Sequence, residues 1–254
     1  DLSYIVRLLV SGLNKPKDIR LGRDVAGEVE AVGKNITTFK PGDAVFGWCE
    51  GAFAEYACAS ESALIMKPGN ITFEEAASVP VAANTALQAL RDKGKLQSGQ
   101  KVLINGSTGA IGTFAVQIAK AFDAEVTAVC KTQNLDLVRS IGADHIIDYT
   151  KEDFTNRGES YDFIFDAVGK RYSSKLQYKK ALTPNGKYIS VDDGTPKIHI
   201  EDLLLLKELI EAGKIKPVID ILYPLEQMAE AHRYVDKGHK KGNVVITVEH
   251  SDKS

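Results

Sequence analysis

The stretch Gly106-Ser107-Thr108-Gly109-Ala110-Ile111-Gly112 is where residue type and spacing in this chain point to chemistry. It follows the apolar run KVLIN and opens the helical run TFAVQIAKAF, the strand, turn and helix order that a phosphate-binding turn requires. Gly109 lets a pyrophosphate approach the backbone and Gly112 lets helix and strand pack closely. The helix start at Ala110 and Ile111 offers free N–H groups and a partial positive charge. Ser107 stands where the commoner G-x-G-x-x-G pattern has a glycine, so the match is a G-x-x-G-x-x-G variant, set against the plainer reading of an ordinary glycine-rich turn.

About 20 residues further on, an NAD-binding chain needs a carboxylate for the adenosine ribose 2′-hydroxyl. This chain instead leaves its next apolar run, EVTAVC, into Lys131-Thr132-Gln133-Asn134. An ammonium at Lys131 with the polar groups of Thr132 and Asn134 suits a 2′-phosphate, which a carboxylate would repel, so NADP(H) is preferred over NAD(H). Against this stands a simpler role for Lys131 at the start of a solvated turn. Other chemistry finds less support. The five histidines, His145, His199, His232, His239 and His250, include no pair at metal-ligand helical spacing, and no nucleophile has a partnered base.

The elements that must hold this turn are short unbroken apolar runs (KVLIN, EVTAVC, HIIDY, DFIFDAV, KYISV) separated by helical periods. That alternation predicts a doubly wound α/β fold on a parallel sheet, with helices near 201–213 and 225–238 and a last strand, NVVITV. Residues 24 to 66 read differently. There, β-rich runs (VAGEVEAV, AVFG, FAEYACA, ALIM) alternate with Pro-Gly punctuation, predicting an antiparallel, barrel-like segment. From Glu74, EEAASVPVAANTALQALRDKG predicts a helix, which places a boundary near residue 70.

Composition narrows the function classes. Acidic and basic residues number 34 and 32, a net charge of −2, leaving no field to gather a nucleic-acid backbone. No run reaches the roughly 18 apolar residues of a membrane span, and the start, DLSYIVRLLVSG, lacks the marks of a secretory signal, so a cytoplasmic protein is expected. The three cysteines, Cys49, Cys58 and Cys130, are too few and too widely spaced for a disulfide scaffold, with Cys58 and Cys130 each in a strand-like run.

These motifs, joined to GRDVAGEVEAVG, FKPGDAVFG, GAFAEYACAS, EEAASVPVAANTALQAL and KGNVVITV, resemble the medium-chain dehydrogenase/reductase superfamily, and within it the zinc-independent quinone oxidoreductases similar to zeta-crystallin. The resemblance implies a Rossmann NADP(H)-binding domain over 73–213 and a partial GroES-like β-barrel domain over 1–72 plus 214–254. It also implies a homodimer, and a quinone or α,β-unsaturated carbonyl as substrate. Zinc-dependent relatives have Gly-His-Glu where this chain has Gly22-Arg23-Asp24.

By position, the resemblance puts Thr85 beside the nicotinamide, Tyr149 near the 2′-phosphate, and Ala167 and Val168 along the nicotinamide ribose. Tyr149 could equally close a strand, and Val168 could equally be core. Tyr4, Arg7, Arg23, Asp24 and Trp48 are expected near the cleft, none of them assigned a catalytic role. The family's longer β-rich portion ahead of the position of Asp1 lies outside these residues, and DDGTPKIHI leads directly into IEDLLLLKELIEAG where the family has a further strand and helix. Two other readings stay open: a non-catalytic dinucleotide-binding sensor, and an enoyl-thioester reductase with Lys15, Lys17 and Arg20 as a weak basic cluster.

Overall fold

The computed structural model describes residues 20–169 and 175–248. Its first part is a three-stranded antiparallel sheet of β1 (Asp24–Glu28), β2 (Ala44–Trp48) and β3 (Leu64–Met66), in that order. The expected strand FAEYACA does not form, so Cys58 lies in no strand and is exposed. Strand-favouring residues need a neighbour to complete the hydrogen-bond ladder, and among the described residues none pairs with 53–59. Tyr56 accordingly points to solvent.

The single helix expected from Glu74 is broken in two, α1 (Phe73–Ala77) and α2 (Pro80–Gln88), followed by a π-helical turn, Ala89–Gly94. Thr72 and Glu75 cap α1 reciprocally. Pro80 has no N–H to continue that helix and sits at the first position of the next, where the missing donor costs nothing. Lys95, left-handed at φ 53°, ends the run.

The second part is the parallel sheet. Its elements are β4 (Lys101–Asn105), α3 (Ala110–Ala121), β5 (Glu125–Cys130), α4 (Leu135–Ser140), β6 (His145–Asp148), β7 (Tyr161–Asp166), α5 (Lys175–Tyr178) and β8 (Leu182–Ser190). All pairs are parallel and the order is β6-β5-β4-β7-β8. The order reverses direction between β4 and β7, which opens a crevice at their carboxyl ends. Both faces are covered, which explains the unbroken apolar runs. Val102 and Ile104 of β4 enter one core with Phe114, Ile118, Leu203 and Leu206, while Leu103 enters the other with Val129, Ile164 and Tyr188. Burying each such aliphatic side chain is worth about 1.5–3 kcal/mol.

After β8 the chain runs through 191–199 into α6 (Ile200–Glu211), then β9 (Ile219–Pro224), α7 (Met228–Asp236) and β10 (Asn243–Thr247). Strand β9, not foreseen in the sequence, pairs in parallel with β10. Two glutamines tie down the connections around α6. Gln88 on α2 donates to the Lys197 carbonyl and accepts from the Lys197 N–H (3.2 Å). Gln117 on α3 does the same to Lys216, at 3.0 and 2.8 Å. Gln88 also donates to Asp202 at 2.8 Å, and Arg91 pairs with the same buried carboxylate at 2.7 Å.

Candidate functional site: a glycine turn at the sheet switch point

The turn Gly106–Gly109 leaves the end of β4 and delivers Gly109 as the N-cap of α3, with no side chain capping that helix. Its glycines answer to different demands. Gly106 has φ +76°, and a Cβ there would strike Val168 Cγ2 at 2.6 Å. At Gly112 a Cβ would lie 2.0 Å from the Gly106 carbonyl oxygen, so helix and turn can close only over hydrogen. At Gly109 a Cβ would meet only that carbonyl, at 3.7 Å. No protein atom needs a glycine there, and the open face lies beside the uncapped N–H groups at Ala110 and Ile111.

Ser107 is fully buried, its hydroxyl donating to the Val129 carbonyl at 2.9 Å, so it fastens the turn to β5 and does not face outward. Thr108 accepts from Asn134 Nδ2 at 3.3 Å. The other amide atom of Asn134, Oδ1, is buried with no partner among the described residues, an orphaned polar atom at the rim of the turn. Such an atom costs about 1–3 kcal/mol unless something outside the chain satisfies it.

Lys131 stands at the end of β5, and among the described residues no hydrogen bond or ion pair engages its ammonium. Thr132 gives its hydroxyl to Asp148, which also accepts from the Thr150 N–H (3.0 Å) and Oγ1 (2.6 Å). These bonds, Thr132's first, hold the Asp148 carboxyl down at about 2. A carboxylate thus lies beside Thr132, contributed by the neighbouring strand through the Cys130–Asp148 register, a feature the sequence reading lacked. Tyr149 follows it, half exposed, with its N–H on the Cys130 carbonyl at 3.1 Å. The Cys130 thiol is pushed up to about 11, burial being the main cause, and is a poor nucleophile.

Across the switch point, Ala167 donates to the Asn105 carbonyl at 3.0 Å, and Val168 lies against Gly106 with 41% of its surface exposed, so it is not core. The turn after β7 is held by Asp166, fully buried, which accepts from Val168 N (3.2 Å), Gly169 N (3.4 Å), Asn105 Nδ2 (3.1 Å) and Tyr188 Oη (3.0 Å). Asp166 was missed in the sequence, though DFIFDAV ends on it. The residues from Ser107 to Gly112, Asn134, Ala167 and Val168 therefore share one corner, with Lys131, Thr132 and Tyr149 along its β5–β6 side.

Thr85 keeps its hydroxyl within its own helix: buried in α2, it donates to the Val81 carbonyl at 2.7 Å. The Val81 N–H in turn donates to Asp24 Oδ1 at 2.9 Å, joining α2 to β1. Burial pushes the Asp24 carboxyl up to about 7, against the opposing pull of that bond and of Arg23. Asp24 pairs with Trp48 across the strands. Arg23 and Trp48 line a cleft of about 400 Å³ with Arg20, Cys49, Glu50 and Cys58. Tyr4, Arg7, Lys15 and Lys17 lie outside the described residues. No group of three His, Cys, Asp or Glu side chains able to hold a metal occurs among the described residues, nor does any helix there have the length and apolar character to cross a membrane.

The chain matches the family models "Zinc-binding dehydrogenase" over residues 110–213 and "Alcohol dehydrogenase GroES-like domain" over residues 1–69. It is 34% identical to the mitochondrial NAD(P)H oxidoreductase RTN4IP1 of Bos taurus over 280 aligned positions, covering 91% of this chain and 70% of that protein. That span exceeds the 254 residues here, so the relative carries residues within it that this chain does not. A chloroplastic NADPH-dependent alkenal/one oxidoreductase of Arabidopsis thaliana is 34% identical, covering 89% of this chain and 63% of that one. Among solved structures, the quinone oxidoreductase of Coxiella burnetii superposes with a TM-score of 0.78 at 27% identity, covering 93% of this chain and 81% of that one. With the five-stranded parallel sheet, the glycine turn at its switch point and the amino-terminal GroES-like part, these likenesses place the chain in the medium-chain dehydrogenase/reductase superfamily, as an oxidoreductase with quinone and alkenal reductases among its relatives.

Proposed function

We propose that this protein is a zinc-independent, NADPH-dependent reductase of quinones or α,β-unsaturated carbonyls. The observation that carries the reading is the open face at Gly109 beside an uncapped helix start, with the orphaned Asn134 oxygen at its rim. Backbone N–H groups at Ala110 and Ile111 hold the pyrophosphate there, Ala167 and Val168 border the ribose on the nicotinamide side, and Thr85 flanks the ring. Lys131, its ammonium unengaged among the described residues, takes the 2′-phosphate with Tyr149 beside it, while Thr132 and Asn134 complete that side.

The bound nucleotide supplies the hydride. The chain's residues supply position, exclusion of water and a hydrogen-bond donor for the carbonyl oxygen as charge builds on it. Arg23, lining the cleft with Trp48, Arg20 and Glu50, is a cation available for that task. A homodimer and a small-molecule acceptor, with no nucleic acid or membrane partner, complete the proposal. The relatives' names carry mitochondrial and chloroplastic locations, so cytoplasm is not favoured over an organelle.

The test is NADPH oxidation with a quinone, a short enone and an enoyl-CoA. Turnover of the first two supports the reading, turnover of the enoyl-CoA alone moves it to an enoyl-thioester reductase, and binding without turnover moves it to a sensor. For cofactor choice, Lys131→Asp weakens NADPH binding by about tenfold or more and NADH binding by less than about threefold, measured by calorimetry. Equal losses would remove Lys131 from the 2′-phosphate site and leave the neighbouring Asp148 to favour NADH.

A further inference from the structure

The pairing of β9 with β10 slips at one residue. Asn243 faces Ile219, but Val244 faces Ile221, so Asp220 is the extra residue of a β-bulge. A bulge leaves its extra residue out of the ladder and re-aims the side chain. Here one carboxylate oxygen of Asp220 accepts from Tyr234 Oη on α7 at 2.6 Å and from the Lys241 N–H at 3.0 Å.

That oxygen thereby fixes the loop after α7, and the loop reaches the glycine turn. Gly242 donates its N–H to the Thr108 carbonyl at 2.7 Å and bridges to Gly109. Its own carbonyl accepts from Lys240 Nζ at 2.7 Å. Gly242 has φ +68°, and a Cβ there would lie 2.3 Å from the Val218 carbonyl oxygen, so the loop has one shape in which it can meet the turn.

We propose that Asp220 is a positioning residue for the dinucleotide: bulged from β9, it pins the 239–242 loop so that Gly242 buttresses Thr108 and Gly109 in the shape that receives the pyrophosphate. The proposal rests on the reading of the glycine turn given above. Asp220 touches no cofactor. It acts through Lys241 and Gly242, and its loss is felt as cofactor affinity with the chemistry intact.

The test compares wild type, Asp220→Ala, Asp220→Asn and Tyr234→Phe by NADPH titration, by steady-state kinetics and by thermal unfolding without nucleotide. Asp220→Ala raises the NADPH Kd and the cofactor KM about tenfold, with kcat at saturating NADPH and the acceptor KM within about twofold of wild type. Asp220→Asn recovers to within about threefold, because its amide oxygen can accept both donors, and Tyr234→Phe falls between wild type and Asp220→Ala.

A folded Asp220→Ala and a folded Tyr234→Phe with wild-type NADPH Kd, whatever their unfolding temperatures, overturn the proposal and leave the glycine turn's role standing. Should Asp220→Ala not fold, Tyr234→Phe alone decides by the same measure. A wild-type protein that binds neither nicotinamide nucleotide overturns this proposal together with the reading beneath it.

Discussion

At Gly112 a methyl group would sit 2.0 Å from a carbonyl oxygen, while at Gly109, where φ is −78°, it would touch that same oxygen at an ordinary 3.7 Å. The two glycines of one motif are thus separable by experiment. Gly112→Ala forces helix from turn and lowers the unfolding midpoint by about 10 °C in a thermal scan. Gly109→Ala leaves that midpoint within about 2 °C yet weakens NADPH binding by about tenfold, because the methyl occupies the ligand's approach. A Gly109→Ala protein that binds as wild type does would detach the turn from the cofactor. The turn was legible in the sequence because all its parts are neighbours in the chain. Asp148 and Asp166 were not read as site residues, since their places come from sheet register and not from spacing.

At the scale of elements, the buried strands β4, β5 and β7 were plain in the sequence because a strand covered on both faces is apolar at every position. β9 was not: Ile219–Pro224 is half exposed and carries Asp220 and Pro224, so it shows neither an apolar run nor a clean alternation. The run after Glu74 has helical composition throughout, and only the missing N–H of Pro80 divides it. The amides of α2 anchor the segment between β8 and α6. Gln88→Ala leaves the Lys197 N–H without its acceptor, while the Lys197 carbonyl keeps Asn84 and Asp202 keeps Arg91, costing about 1–2 kcal/mol. Trypsin then cleaves at Lys197 several-fold faster than in wild type, and an unchanged rate would show that α6 holds the segment without the glutamine.

At the scale of the whole molecule, the antiparallel sheet and the Rossmann layer are joined where Asp24 of β1 caps α2 through Val81. The Asp24 carboxyl, up at about 7 in the fold against an ordinary 3.8, keeps its proton longer folded than unfolded. Between about pH 4 and 7 the native state therefore holds the extra proton, and this group's contribution to stability declines as pH rises through that window. Asp24→Asn keeps an acceptor for Val81 without the charge. It raises the unfolding midpoint by about 5 °C at pH 8 and by clearly less at pH 5. An equal gain at both pH values would show that Asp24 is ionised throughout.

The paired glutamines have a consequence for how this architecture tolerates change in length. Gln88 and Gln117 each offer a donor and an acceptor to one lysine's main chain, as a neighbouring strand would. A side chain imitating a strand closes the hydrogen-bond account locally at Lys197 and Lys216, whatever the chain does between β8 and the first of these moorings. Insertions or deletions in that interval can accumulate without stripping a ladder bond from the sheet, which makes it a natural place for related proteins to diverge and for an engineer to graft a new segment.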